Sequence, residues 1–271
     1  MASRVKTQSL TVRHVQDMWN WTGFCTLFKK EFLRFFKVPN NTIFPQLVTV
    51  LFYFLIFGLA IGALIKEVAG VPYLLFILPG LFVQNIINGS YSNPSGSLFI
   101  GKVWGSLTDV LLAPLSHAQF ILAYIFAGMC RGLFLGLGTI LLGFFFTPIV
   151  IEHVWIFLTY VILISFFFAC CGFIVGLWSK NWDQLNIFIN FVVTPLTFLG
   201  GVFYTLDMVP PVMQFITKLN PVFYMINGVR YGMIGVSDGN VYLGMIFLVL
   251  LCTLVFGIVH LLVKKGYNLR V

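Results

Sequence analysis

Residues 118–146 read AQFILAYIFAGMCRGLFLGLGTILLGFFF and hold one charged side chain, Arg131. A bilayer span needs about 20 consecutive, mostly apolar residues, so this stretch is long enough to cross. Five more stretches qualify on the same ground: 42–65, 72–98, 151–178, 185–204 and 241–263. The rest of the chain has the same character. Of its 271 residues 59% are hydrophobic and 9% charged, and its mean hydropathy is +0.98. A soluble domain carries about 25% charged residues, so this chain cannot cover its own surface with polar groups. The sequence predicts an all-α integral membrane protein of six transmembrane helices, one unit over 1–271 with no room for a sizeable soluble domain.

Between the fifth and sixth spans, residues 205–240 are apolar yet broken by Pro210, Pro211 and Pro221 and dotted with Asp207, Lys218 and Arg230. Irregular backbone at membrane depth must be shielded by protein, so 205–235 is expected to form a re-entrant pair of short helices on the outer face. Before the first span, residues 18–37 place Trp21, Phe24, Phe28, Phe32 and Phe35 on one helical face, with Lys29, Lys30, Arg34 and Lys37 on the other. That pattern predicts an amphipathic basic helix lying in the membrane interface.

Cytoplasmic loops carry an excess of Lys and Arg. Arg4, Lys6, Arg13, Lys29, Lys30, Arg34 and Lys37 precede the first span. Lys102 and Lys180 fall in alternate loops, and Lys264, Lys265 and Arg270 follow the last span. The opposite side holds Lys66, Lys218 and Arg230, with Glu67, Glu152, Asp207 and Asp238 beside them. Both termini are therefore expected in the cytoplasm, and an even number of spans, which puts them on one side, agrees. The net charge of +8 follows this topology and is no nucleic-acid footprint. The first seventeen residues are polar and basic without an apolar core, so no cleaved signal peptide is expected and the first span serves as an anchor.

Motifs for chemistry are few. Gly96–Lys102 (GSLFIGK) has phosphate-loop spacing, but Val103 stands where Ser or Thr must hold Mg²⁺, and the match falls at the end of a span. Cys25, Cys130, Cys170, Cys171 and Cys252 lack metal or disulfide spacing, and His14, His117, His153 and His260 are scattered singly. Neither catalytic nor metal-binding residues are expected. Ion-coupled carriers keep a carboxylate deep within the membrane, and the one carboxylate in these spans, Glu152, stands at the outer edge of the fourth, so the driving energy is expected from elsewhere.

Arg131 is the exception among the spans. It lies roughly 20 Å into its helix at 1.5 Å per residue, where a charge costs about 3 kcal/mol on insertion scales. Its candidate partners are Asn85, Asn88 and Asn93, backbone carbonyls, or an anionic substrate group. Gly128, Gly132 and Gly136 form a small-residue stripe on the same helix, and Gly58/Gly62 and Gly172/Gly176 repeat the spacing. In the loop after the second span, residues 106–115 read SLTDVLLAPL. Ser106 or Thr108 is expected to cap a short helix with Leu107, Leu111 and Leu112 on its apolar face, stopped near Pro114. Such a helix either meets a protein partner or dips into the interface.

These segments resemble the ABC-2-type permeases, the membrane subunits of bacterial ATP-binding-cassette exporters. Residues 106–115 look like that family's coupling helix, with Thr108-Asp109 where an acidic pair is more usual. Residues 194–208 (TPLTFLGGVFYTLDM) look like its fifth-span exit, and 220–235 (NPVFYMINGVRYGMIG), led in by KLNP, like its re-entrant helix. The resemblance implies two permease copies, a homodimer here, working in the bacterial cytoplasmic (inner) membrane with two copies of a separate ATPase. ATP and Mg²⁺ then belong to that partner, and no cofactor to this chain. It implies ATPase coupling through Leu107, Thr108, Asp109, Leu111, Leu112 and Pro114. A substrate pathway past Arg131, Asn85 and Asn88 is a further expectation, as is a hydrophobic or amphipathic cargo leaving the cell. The alternatives are an ion-coupled carrier or channel, or a membrane-embedded lipid-modifying enzyme. The last needs clustered Asp, Glu or His, whereas Asp207 and Asp238 are far apart and Glu152-His153 is a lone pair.

Overall fold

The computed structural model describes residues 19–62 and 64–269. Arg4, Lys6, Arg13, His14 and Arg270 lie outside the described residues. Helix α1 (Trp21–Phe36) starts at Asn20, whose side chain accepts from Gly23 N–H. A single turn, α2 (Pro39–Thr42), leads into α3 (Phe44–Tyr53), and the helix continues through wide π turns over Phe54–Ile61. A two-residue hairpin, β1 (Glu67–Val68) with β2 (Val71–Pro72), turns the chain back. The long helices α4 (Tyr73–Val103), α6 (His117–Gly143) and α7 (Val154–Trp178) follow, with α5 (Ser106–Leu112) between the first two.

Next come α8 (Trp182–Ile187), a second wide-turn stretch Phe188–Val193, and α9 (Thr194–Phe198). The 3₁₀ turn Leu206–Met208, α10 (Pro211–Leu219) and α11 (Pro221–Ile234) precede the last helix, α12 (Val241–Lys264). Side chains that accept from free N–H groups mark many of these starts: Asn181, Asn220, Asn240, and Ser116 in a reciprocal capping box with Gln119.

Among the described residues four helices, α4, α6, α7 and α12, are long and apolar enough to cross a membrane. Their bounds lie close to the expected 72–98, 118–146, 151–178 and 241–263. The largest difference is that α4 runs on to Val103, where Gly105 turns it at a positive φ of 75°. The stretches 42–65 and 185–204 are helical in a different way, each interrupted by wide turns. Residues 182–198 rise roughly 26 Å at 1.5 Å per residue, and 199–204 leave the helix as turn. The expected short-helix pair in 205–235 is present as α10 and α11.

Helix α4 lies at the centre, with α6 and α7 along its sides, α11 across α4 and α7, and α1 and α12 outside. Small residues make this approach possible. A methyl group on Gly172 would run into the Tyr91 carbonyl, and one on Gly176 would sit 2.9 Å from Ser95 Cα. On the other flank Gly89 and Gly132 face one another at backbone distance, a side-chain carbon on Gly89 falling 2.8 Å from Gly132 Cα. The stripes on α6 and α7 are thus packing seams, the usual use of such spacing between membrane helices. Peripheral α12 instead points Ile246, Leu250, Leu254 and Leu261 outward. An apolar strip of that length suits lipid.

Asn20 Nδ2 donates to the Pro114 carbonyl (3.3 Å), and Asn268 Nδ2 to that of Leu177 (2.8 Å). Both ends of the described chain therefore meet the α5 end of the bundle. The hairpin and the 199–240 region form the opposite end.

Candidate functional site

At the α5 end, Leu107 and the two other leucines separate. Leu107 is buried in a cluster with Leu27, Phe120 and Leu177, while Leu111 and Leu112 are exposed, Leu112 to 79%. Thr108, Asp109 and Pro114 are exposed with them. The expected side-chain cap is absent, because Gly105 occupies the cap position. The sharp turn out of α4 needs φ above zero, which glycine adopts without strain. One cleft, of about 480 Å³, separates α5 from α1 and is lined by Lys30, Asp109 and Leu115 among others. A second, of about 560 Å³, lies between α5 and the end of α12, beside Leu112, His117, Lys264 and Lys265. Lys102, which reads as a free loop charge, is buried. Its Nζ donates to the carbonyls of Leu177 (2.6 Å) and Ser179 (2.8 Å), closing the C-terminus of α7.

Helix α1 differs from its wheel. Leu27, Glu31 and Phe35 form the buried line, and Arg34 turns inward with them instead of joining Lys29 and Lys30 outside. The reason is a carboxylate the wheel leaves out. Glu31, 1% exposed, pairs with Arg34 Nε at 3.3 Å and accepts a short hydrogen bond from Ser97 Oγ. Arg34 Nη2 also donates to the Asn93 carbonyl (2.8 Å) and to Asn93 Oδ1 (3.2 Å). Part of the aromatic face is used inside the protein: Phe35 and Phe36 pack on Phe134 of α6, with ring centroids 5.9 and 5.2 Å away.

Arg131, 7% exposed, donates from Nη2 to the Thr42 carbonyl at 3.2 Å. That bond goes to backbone, and among the described residues no asparagine of α4 hydrogen-bonds to Arg131. Asn85 Nδ2 donates to Thr139 Oγ1 (2.7 Å), Asn93 accepts from Arg34, and the Asn88 carbonyl accepts from Ser92 Oγ (2.6 Å). Arg131, Asn85 and Asn88 are thus not drawn into one hydrogen-bonded group among the described residues.

Arg230, counted above as an outer-face charge, is 1% exposed. Its Nη2 donates to the Gly201 carbonyl (2.5 Å), its Nη1 lies 3.7 Å from Asp238 Oδ2, and its Cζ sits 3.9 Å above the Phe76 ring centroid. Asn227 Oδ1 accepts from Asp238 N–H (2.7 Å) and fixes the loop that carries the carboxylate. Burial raises the Asp238 carboxyl above its ordinary range, against the downward pull of Arg230. Below this knot α11 presses on α7, Gly228 against the Tyr160 ring and Gly232 against Phe157. Proximity in space to Gly201 and Phe76 sets this site, and no local spacing announces it.

A transport-type membrane subunit is the class defined by these features: a helical bundle with an apolar rim, a short exposed helix at one end and a packed helix pair at the other. The ABC-2 type transporter family matches residues 22–234, and the chain belongs to it. The chain is 35% identical over 251 residues to the inner membrane transport permease YadH of Escherichia coli K12, covering 92% of this chain and 98% of that protein. It is 23% identical over 227 residues to nodulation protein J of Rhizobium meliloti, covering 80% and 82%. Against nodulation protein J of Neorhizobium galegae the figures are 24% over 253 residues, covering 89% and 90%. The chain is thus a multi-pass transport permease of the bacterial inner membrane.

Proposed function

We propose that this permease is the membrane half of an ATP-driven exporter that moves a hydrophobic or amphipathic substrate outward. The observation that carries the reading is α5. Leu111, Leu112 and Asp109 are exposed on a helix rooted by buried Leu107 and flanked by two open clefts. An apolar, charge-rimmed projection of that kind suits a protein partner. In this reading a separate ATPase, in two copies, grips Thr108, Asp109, Leu111, Leu112 and Pro114, while a second copy of this chain completes the pathway. Residues 44–61 and 182–198 cross the membrane as wide-turn helices, giving six spans with both termini cytoplasmic. Helices α10 and α11 form a re-entrant cap on the outer face. The substrate path runs past Arg131, Asn85 and Asn88.

Mechanically, the reading needs force at α5 to reach the bundle. Leu107 transmits it to α1, α6 and α7 through the shared cluster of Leu27, Phe120 and Leu177. The Glu31–Arg34 pair fastens α1 to α4, so the two elements beside the ATPase move with the central helix. The experiment is purification with a cognate ATP-binding-cassette ATPase, followed by substrate-stimulated ATP hydrolysis in lipid. Hydrolysis that depends on this chain supports the reading. An ion gradient that drives transport with no ATPase present contradicts it.

A further inference from the structure

Arg131 is a buried guanidinium with no carboxylate beside it among the described residues. There its one hydrogen bond goes to the Thr42 carbonyl, and its Nε is buried without a partner. Glu31, the acid of this neighbourhood, is engaged by Arg34. Ser90 Oγ and Asn93 Nδ2, also of this region, are buried and unpartnered as well. Ser90 lies against Gly132, the residue after Arg131, and Asn93 is held by Arg34. Thr42, whose carbonyl accepts from Arg131, donates from Oγ1 to the Phe35 carbonyl next to Arg34, so the two cations, Glu31 and these unused donors are drawn to one region where α1, α4 and α6 converge. Arg34 keeps 31% of its side chain exposed, which leaves the group an opening. Buried polar atoms are satisfied in the great majority of proteins, so unused donors of one kind call for an acceptor. Guanidinium pairs suit phosphate oxyanions in particular.

We propose that Arg131 and Arg34, with Ser90 and Asn93, bind a phosphate-class anion at the junction of α1, α4 and α6. The shared chemistry is a mono- or diester phosphate, supplied either by an anionic lipid headgroup or by a free phosphate group. The site rests on the membrane placement of α6 and not on ATP-driven export, so binding and export fail separately.

The test is thermal unfolding of the full chain in detergent micelles with dioleoyl phosphatidylglycerol, dioleoyl phosphatidylcholine or inorganic phosphate added. Phosphatidylglycerol is expected to raise Tm where phosphatidylcholine does not, and Arg131→Gln to weaken the apparent affinity by about tenfold. A response to phosphatidylglycerol alone identifies a lipid headgroup site, and a response to inorganic phosphate as well identifies a site for the bare oxyanion. Equal responses to the two lipids, no response, or an undiminished response in Arg131→Gln overturns the proposal. Should Arg131→Gln fail to accumulate, Ser90→Ala, which breaks no hydrogen bond among the described residues, takes its place, and an undiminished response there overturns it equally.

Discussion

Arg131 and Arg230 are both buried, and the protein treats them differently. Arg230 is met by the Gly201 carbonyl, the Asp238 carboxylate and the Phe76 ring, although its Nε, like that of Arg131, is buried without a hydrogen-bond partner. Arg131 has one carbonyl and, among the described residues, no carboxylate. The first arrangement closes a corner of the fold and ties α11 to the turn after α9. The second leaves charge uncompensated, which a fold tolerates when something outside the chain completes it. A buried arginine is thus read by its counter-charges, and depth alone does not separate a rivet from a binding site.

The comparison breaks or sharpens under substitution. The largest effect is expected at Arg230→Met, which strands Asp238 without its cation and costs about 3 kcal/mol. Its readouts are a lower Tm in detergent and less protein in the membrane. Near-normal stability would place Arg230 in the same class as Arg131. Gly172→Ala comes next, since the added methyl meets the Tyr91 backbone carbonyl and must move α7 off α4. Overpacking of this kind costs about 1–3 kcal/mol, measured by the same unfolding assay.

Arg131→Met is expected to change stability by less than about 1 kcal/mol, because an unpaired charge is removed and no carboxylate is left behind. Export by that variant is nonetheless expected to fall to background in whole cells, with the ATPase still bound. If the variant fails to accumulate instead, Arg131 is structural and the contrast with Arg230 collapses. The smallest effect on stability belongs to Asp109→Arg, on an exposed helix where substitutions stay within about 0.5 kcal/mol.

Composition and apolar run length made the membrane class legible in the sequence, and the four long helices fall where those runs are. The glycine stripes were also legible as seams, because spacing on one helix is a local property. Residues acting across helices were not. Glu31 lies one turn from Arg34 and looks like an ordinary surface pair on a basic helix, yet Ser97 and Asn93 of α4 draw both inward. Lys102 reads as a loop charge because α4 was expected to end at residue 98, and five more residues of helix carry it under the end of α7. Arg230 counted as one of the outer-side charges in a proline-broken segment, and the packing that buries it comes from Gly201 and Phe76, distant in sequence. The wide turns in 54–61 and 188–193 leave no mark on hydropathy, since they change backbone bonding and not composition.

The account turns on α5 as the grip for a separate motor. The direct measurement is co-purification of the proposed ATPase partner with tagged permease, wild type against Asp109→Arg and Leu112→Glu, each checked for unchanged Tm. Loss of the ATPase from both variants, with the permease intact in the membrane, is the predicted result. Undiminished recovery of the ATPase with both would contradict the assignment of α5.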